Sequence, residues 1–222
     1  MLNNYFDKIY CINLERRTDR FDVMQKTFQD LNVEVEIVKA IEGNVWDWKS
    51  DRYPHSMRGF EGVAGGTSTQ IKIIREVMIK KYKSILILED DCVFADQFNE
   101  VFEHKIKYVP HYWDMLYLGG LYNQDGIKPV PIDDNNDFVV RSFDMMSTHA
   151  YALHNGVYEK AIDIMTTNSP YLTNSADGFL CTLQKECQAF AFNPPMAWQK
   201  ANYSDIQHGH RDYVEQFKKK LI

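Results

Sequence analysis

The order of hydrophobic and polar positions predicts short strands separated by amphipathic helices. Residues 8–14 (KIYCINL) form an apolar, β-branched run that is typical of a buried strand. Residues 18–31 place apolar side chains at helical spacing, and we expect Thr18 to cap that helix. Residues 33–38 (VEVEIV) alternate with glutamate and read as a second strand. A strand, a helix and a strand at this spacing predict a βαβ unit with a parallel sheet.

The rest of the chain continues this alternation of elements. Residues 41–66 have no clean period, so we expect a long loop there and a helix that begins near Thr67. Residues 84–88 (SILIL) are the clearest central strand. The other predicted elements are a helix at 95–107, a strand at 114–118, turns at 119–137, two strands at 138–143 and 148–153 that could pair with each other, helices at 155–165 and 177–184, and a last strand at 188–192.

Composition, charge and cysteine spacing narrow the class of protein. Hydrophobic residues make up 45% and charged residues 25% of the 222 residues, as in ordinary globular domains. The formal charge of -6 leaves no broad basic field for nucleic acid or an anionic membrane. The four cysteines form no C-x-x-C pair, which favours reduced thiols over a disulfide framework. No signal-peptide pattern, membrane-spanning run or interdomain linker occurs, so we expect one soluble, cytoplasmic domain over residues 1–222.

The clearest chemical signal is the end of the predicted strand 84–88, where Glu89, Asp90 and Asp91 follow one another. The carboxyl ends of strands are where open α/β sheets bind ligands. Three carboxylates there repel one another unless a cation is present, and oxygen ligands suit Mg²⁺ or Mn²⁺. An extended chain would put Glu89 and Asp91 on one side and Asp90 on the other. The alternative is a strand followed by an acidic, solvated turn.

A second signal is the polar turn after the first strand, residues 13–20 (NLERRTDR), which contains three arginines. Guanidinium groups bind phosphate and stack on bases, so this turn could hold a nucleotide. The alternative is surface salt bridging of Arg16 or Arg20 with Asp19 or Glu15.

Four segments occur in an informative order: INLERRTDR, LILEDD, WDMLYLGG at 113–120 and AYALHNGVYEKAI at 150–162. Together they resemble glycosyltransferase family 25, which includes bacterial lipooligosaccharide galactosyltransferases and collagen hydroxylysine galactosyltransferases. The resemblance runs from about residue 8 to residue 206. It implies an α/β fold of the GT-A nucleotide-sugar-binding type, with a mixed, mainly parallel central sheet flanked by helices. It also implies transfer of galactose or glucose from a UDP-sugar to a glycan or protein hydroxyl, with inversion.

The resemblance also assigns roles to residues by position. Glu89 and Asp91 would hold Mn²⁺ or Mg²⁺ against the UDP diphosphate, and His208 in the polar tail is a candidate third ligand, with a surface histidine as the alternative. Asp177 in SADGFL matches an acidic residue near the acceptor. The residues expected at the donor site are Asn13, Leu14, Arg16, Arg17, Arg20, Gln70, Asp90, Ser204 and Asp205.

An inverting transfer needs a base that takes the proton of the acceptor hydroxyl. Asp177 is our candidate, with Asp144 and Asp205 behind it; the alternative for Asp177 is a helix N-cap. The sequence departs from the family pattern at residues 65–70, which read GGTSTQ where the family usually shows a Gly-Cys-x-x-Ser-His-like helix start. Glycine replaces the cysteine, and glutamine replaces the histidine. Gln70 can donate and accept hydrogen bonds but cannot carry a proton at neutral pH.

Two other functions stay open from the sequence. A metal-dependent nucleotidyl or phosphoryl transferase would use the same carboxylates, although no G-x-x-x-x-G-K-[ST] loop occurs. A catalytically silent protein of the same fold that binds a nucleotide sugar or glycan is compatible with Gln70. The partners expected in the leading interpretation are a UDP-hexose donor and a glycan or glycoprotein acceptor, without nucleic acid.

Overall fold

The computed structural model describes residues 2–43, 61–122, 128–167, 175–205, 209–212 and 214. The helices are α1 Thr18–Leu31, α2 Glu61–Lys80, α3 Phe98–Lys105, α4 Tyr158–Thr167 and α5 Ala176–Lys185. The strands are β1 Lys8–Asn13, β2 Glu36–Lys39, β3 Ser84–Glu89, β4 Cys92–Phe94, β5 Met115–Tyr117, β6 Leu121–Tyr122, β7 Val130–Asp133, β8 Asn136–Arg141, β9 Met145–Met146, β10 Ala150–His154, β11 Ala189–Phe192, β12 Ala197–Gln199, β13 Asn202–Ser204 and β14 Gly209–Arg211.

Eight strands form the central sheet, in the order β2-β1-β3-β10-β5-β11-β8-β7. Strand β1 pairs in parallel with β2 and β3, and β5 pairs in parallel with β11. Strands β10 and β8 pair antiparallel to their neighbours and run against the other strands of the sheet. The predicted α/β fold, with a mixed and mainly parallel central sheet, is confirmed.

Helices cover both faces of this sheet because its central strands are apolar on both sides. In β3, Ile85 and Ile87 pack in one core cluster with residues of α2, α4 and α5. Leu86 and Leu88 point to the other face and pack with residues of α1 and α3. This alternation follows from the two-residue period of a strand. None of the described helices is long and apolar enough to cross a membrane.

Two predicted helix starts are wrong. Thr18 is the first residue of α1 rather than its cap, since Arg17 occupies the N-cap position without a side-chain hydrogen bond. Helix α2 already runs from Glu61, six positions before Thr67. The glycines in its first turns interrupt the apolar period, so the sequence pattern does not predict a helix there. A side chain at Gly65 would overlap the carbonyl of Ile41, so glycine lets α2 approach that backbone closely.

The strand pairing in the second half of the chain also differs from the prediction. Strand β8 pairs with β7 and β11, whereas β10 lies between β3 and β5, so the two do not pair with each other. Strands β6 and β7 lie within the segment predicted as turns, and β12, β13 and β14 follow the predicted last strand. Strands of two to four residues carry too little periodicity to be recognised.

Candidate active site

A cleft of about 510 Å³ opens at the carboxyl ends of β1, β2 and β3. This is the edge at which open α/β sheets bind ligands. The start of α2 and the segment around β13 form its other walls. Its lining residues are Ile12, Leu14, Arg16, Arg20, Ala40, Ile41, Glu42, Gly43, Glu61, Gly62, Gly66, Gln70, Glu89, Asp90, Asp91, Gln199, Ser204 and Asp205.

The cleft brings together most of the residues that the sequence assigned to a site. Asn13 and Arg17 do not line it but contact residues that do, and Asp177 reaches it through Thr148. His208 lies outside the described residues. The predicted site residues that line the cleft are Leu14, Arg16, Arg20, Gln70, Glu89, Asp90, Asp91, Ser204 and Asp205.

Glu89 is the last residue of β3, and its carboxylate accepts a hydrogen bond from the Thr148 hydroxyl. Thr148 lies close to Glu89 because the backbone carbonyl of its neighbour His149 accepts a hydrogen bond of 3.0 Å from the Glu89 backbone nitrogen. Burial raises the pKa of Glu89, and the charge of Asp91 raises it further. A cation bound nearby would therefore stabilise the ionised form of the Glu89 carboxylate.

Asp90 and Asp91 share the guanidinium of Arg20. Arg20 Nη1 lies 2.7 Å from Asp90 Oδ1 and 3.3 Å from Asp91 Oδ2. The other oxygen of Asp90 accepts a hydrogen bond of 2.7 Å from Asn13 Nδ2. Burial raises the pKa of Asp91, and Arg20 opposes that rise. Both side chains thus face Arg20, so the predicted separation of Asp90 from Asp91 is wrong: the strand ends at Glu89 and the chain turns there.

The two other arginines of the turn hold Asp205. Arg16 Nη2 lies 2.8 Å from Asp205 Oδ1, and Arg17 Nη1 lies 2.6 Å from Oδ2. Burial alone would raise the pKa of Asp205, but the hydrogen bonds from Arg17 and Arg16 outweigh it and lower that pKa. Arg16 also pairs with Glu42. The arginine turn thereby fixes the segment after β13 against the cleft.

Salt bridging, the alternative interpretation of the arginine turn, is therefore present, but mostly with other partners. Arg17 pairs with Asp19, whereas Glu15 pairs with Lys39. Arg16 remains 48% exposed while it lines the cleft, so it is accessible to a ligand.

Asp177 lies in the first turn of α5, where the helix dipole favours an anion. Its Oδ2 accepts a hydrogen bond of 3.3 Å from the Ser147 backbone nitrogen, and its Oδ1 lies 3.2 Å from Thr148 Oγ1. Burial raises the pKa of Asp177, and these two contacts oppose the rise. The alternative role of Asp177 as an N-cap is wrong, because Ser175 occupies that position and accepts a hydrogen bond from Gly178.

Gln70 lies on α2 and is only 2% exposed although it lines the cleft. Its Oε1 accepts a hydrogen bond of 2.6 Å from the hydroxyl of Tyr151, a buried residue of β10. Gln70, which stands where the family pattern usually has a histidine, is thus a buried part of the cleft wall.

The carboxylates of the cleft fit a divalent cation. Among the described residues, no three histidine, cysteine or acidic side chains converge as a complete metal site. Ions such as Mg²⁺ often need only one or two carboxylates, with water and substrate phosphates as the other ligands. Asp91 Oδ1 is buried and has no hydrogen-bond partner among the described residues. This unpartnered oxygen, in the same cleft as the partly buried carboxylate of Glu89, suits such an ion.

Sequence reasoning missed Thr148, Tyr151 and Gln199. Thr148 contacts Glu89, which lies 59 positions away along the chain. Tyr151 contacts Gln70, which lies 81 positions away. No local pattern marks such partners. The end of β10 could have pointed to them only if its antiparallel pairing with β3 had been known.

Comparison with known proteins identifies relatives that are similar to part of this chain. Procollagen galactosyltransferase 2 of Mus musculus is 30% identical over 129 residues, which cover 51% of this chain and 21% of that protein. A putative glycosyltransferase of Acanthamoeba polyphaga mimivirus is 33% identical over 130 residues, covering 54% and 39%. The probable inactive glycosyltransferase 25 family member 3 of Rattus norvegicus is 26% identical over 129 residues, covering 51% and 23%. The matches thus span less than half the length of each relative.

The model of one family covers most of the chain. It is the glycosyltransferase family 25 (LPS biosynthesis protein), and it matches residues 6–192. This range contains β1, the acidic end of β3 and the helix that carries Asp177. The chain therefore belongs to glycosyltransferase family 25.

Proposed function

We propose that this protein transfers galactose or glucose from a UDP-sugar to a hydroxyl of a glycan or protein acceptor, with inversion and with Mn²⁺ or Mg²⁺ as cofactor. The observation that carries the proposal is the pair of partly buried carboxylates, Glu89 and Asp91, in a cleft that Arg16 and Arg20 also line. Membership of a glycosyltransferase family supports it. The procollagen galactosyltransferase relative supports galactose as one donor sugar.

The donor would lie in the cleft with its diphosphate near Glu89 and Asp91. These two carboxylates would hold the cation, and a cation bound there stabilises the charge on the departing diphosphate. Arg16 and Arg20 would contribute guanidinium groups for phosphate oxygens or for the base. Asp90 and Asn13 would act indirectly, because their mutual contact and the Asp90 salt bridge orient Arg20.

Asp177 would be the general base for the acceptor hydroxyl. Burial raises its pKa, which makes it a better proton acceptor than an exposed aspartate. The Ser147 backbone nitrogen donates to one of its oxygens, and the Thr148 hydroxyl contacts the other. The acceptor would therefore approach from the α5 side of Glu89.

A second candidate is a silent protein that binds a nucleotide sugar without transferring it. Gln70 favours this candidate, because a glutamine cannot exchange a proton as the histidine of the usual family pattern can. The rat relative described as probably inactive belongs to the same family. Binding without turnover distinguishes this candidate from the transferase.

The test is UDP release from a panel of UDP-sugars, measured with Mn²⁺ and again with excess chelator. A slow transfer of the sugar to water requires no known acceptor. We expect release from UDP-galactose or UDP-glucose that chelator abolishes and that Glu89→Gln reduces at least a hundredfold. Glu103→Gln on the exposed face of α3 is the matched control and should leave the rate unchanged. Tight UDP binding with no release from any donor, even with a panel of sugar acceptors, would favour the silent candidate.

A further inference from the structure

Gln70 is a buried polar residue of the cleft whose hydrogen bonding is half complete. Its carbonyl oxygen accepts from the Tyr151 hydroxyl at 2.6 Å. Its amide nitrogen has no hydrogen-bond partner within the part of the chain that the structure describes. Because Gln70 lines the cleft, this amide is suited to meet an oxygen of a ligand.

Tyr151 holds this amide in place in the cleft wall. Tyr151 is fully buried, and its proton goes to the Gln70 carbonyl. A rotated amide would still form a hydrogen bond, with Nε2 donating to the Tyr151 oxygen, so in either orientation one polar atom of Gln70 binds Tyr151. In the orientation of the structure Oε1 is that atom and Nε2 is left for a ligand.

The position of this pair is next to the carboxylates of the cleft. Tyr151 lies opposite Ile87 in the β3–β10 register, two residues before Glu89. The charges of Glu89 and Asp177 help to raise the pKa of Tyr151, after its burial, which agrees with their proximity. A group bound at Gln70 therefore lies in the same cleft as Glu89.

We propose that Gln70 recognises a hydroxyl of the donor hexose, and that Tyr151 is the positioning residue that aims its amide. This inference rests on the proposed function. Arg16 and Arg20 supply charge for phosphate, whereas a neutral amide suits a neutral hydroxyl. Because epimeric hexoses differ in the direction of one hydroxyl, an amide held at one place in the cleft wall distinguishes them.

The variants separate recognition from packing. Gln70→Met keeps the length of the side chain and removes both hydrogen-bonding groups. Tyr151→Phe removes only the hydroxyl that orients Gln70. Tyr117→Phe is the matched control, because Tyr117 is an equally buried tyrosine of the neighbouring strand β5. Its hydroxyl accepts from Gln184 Nε2 at 2.8 Å, and it does not line the cleft.

The measurement is the dissociation constant of UDP, UDP-galactose and UDP-glucose for each variant, by calorimetry with Mn²⁺. We expect Gln70→Met to weaken the preferred UDP-hexose about tenfold and to leave UDP unchanged. The ratio of the dissociation constants of UDP-galactose and UDP-glucose should move toward one. Tyr151→Phe should produce a smaller loss of the same kind, and Tyr117→Phe should match the wild type.

Three outcomes decide the inference. An equal loss for UDP and UDP-hexose would overturn it, because Gln70 would then act on the nucleotide or on the shape of the cleft. Unchanged UDP-hexose affinity in both Gln70→Met and Tyr151→Phe would overturn it as well. A wild-type protein that binds neither UDP nor a UDP-sugar would instead overturn the proposed function. The unchanged UDP affinity also reports that each variant is folded.

Discussion

The hydroxyl of Thr148 donates a hydrogen bond to the carboxylate of Glu89. The same hydroxyl oxygen lies 3.2 Å from Asp177 Oδ1, so one small side chain connects the candidate metal ligand with the candidate base. A hydroxyl has a single proton, so Thr148 donates to only one of the two carboxylates at a time. The two carboxylates are thereby placed on either side of Thr148, which fixes their separation.

Replacement of Thr148 tests whether this connection matters for turnover. Thr148→Val preserves the shape of the side chain and removes the hydroxyl, so Glu89 loses its orienting partner. We expect UDP release to fall by a factor of about 10 to 100, as for the loss of a group that positions a reacting carboxylate. Thr148→Ser should retain most of the rate because it keeps the hydroxyl. A valine variant as active as the wild type would show that the contact is dispensable.

Arg20 should stabilise the fold by compensating Asp90 and Asp91. Removal of one partner from a buried ion pair costs about 3–5 kcal/mol, and we expect Arg20→Met to lower the free energy of unfolding by about that amount. Mn²⁺ should restore part of the loss, because a bound cation replaces the missing charge. Urea unfolding with and without Mn²⁺ measures both effects.

The control for this prediction is Arg75→Met, on the exposed side of α2. Arg75 takes part in no salt bridge among the described residues, so this variant removes the same positive charge and should change stability by less than about 0.5 kcal/mol. Equal losses of stability in the two variants would mean that Arg20 contributes only through the net charge of the protein.

Asp177 should affect the transfer step and not donor binding. Asp177→Asn keeps the size of the side chain and removes the proton acceptor, so we expect UDP release to fall at least about a hundredfold. The dissociation constant of UDP should stay within about twofold. Single-turnover rates and calorimetry measure the two quantities, and Asp22→Asn on exposed α1 is the matched control. Near-normal turnover in Asp177→Asn would remove Asp177 from the mechanism.

His149 should make the fold sensitive to acid. Burial lowers the pKa of His149 to about 4, although its hydrogen bond with the Ala197 carbonyl opposes the shift. The unfolded chain, with a histidine pKa of about 6.5, binds more protons than the folded protein between these values. The free energy of unfolding should therefore fall as the pH decreases from about 6.5 to 4, by up to about 3 kcal/mol from this residue.

Urea unfolding at several pH values tests this contribution by comparison with His149→Gln. We expect the variant to be less stable near pH 7 and to lose less stability than the wild type between pH 6.5 and pH 4. Parallel pH profiles for the two proteins would mean that other groups cause the acid sensitivity. His111→Gln, an exposed histidine between α3 and β5, is the control and should follow the wild type.

Much of the fold and part of the site could be predicted from local pattern. The run at residues 84–88 predicted β3, and the carboxylates after it fall at the sheet edge that borders the cleft. The polar turn at residues 13–20 follows β1 and reaches the same cleft for the same topological reason. Signals of this kind are contained within one strand and its following turn, so sequence alone reveals them.

The partners of these residues could not be predicted, because they depend on contacts between distant segments. Asp205 meets Arg16 and Arg17 across 189 and 188 positions. Gln70 meets Tyr151 only because β10 inserts between β3 and β5. The turn at Asp90 also changes the side on which Asp91 lies, which a pattern of strand alternation cannot anticipate.

The central claim is that Glu89 and Asp91 hold a divalent cation together with a UDP-sugar. The most direct measurement is the dissociation constant of UDP with Mn²⁺ and with excess chelator, for the wild type, Asp91→Asn and the exposed control Asp30→Asn. We predict that UDP binds the wild type and Asp30→Asn at least tenfold more tightly with Mn²⁺, and that Asp91→Asn loses this difference. UDP affinity that is the same with Mn²⁺ and with chelator, or the same in Asp91→Asn, would contradict the account.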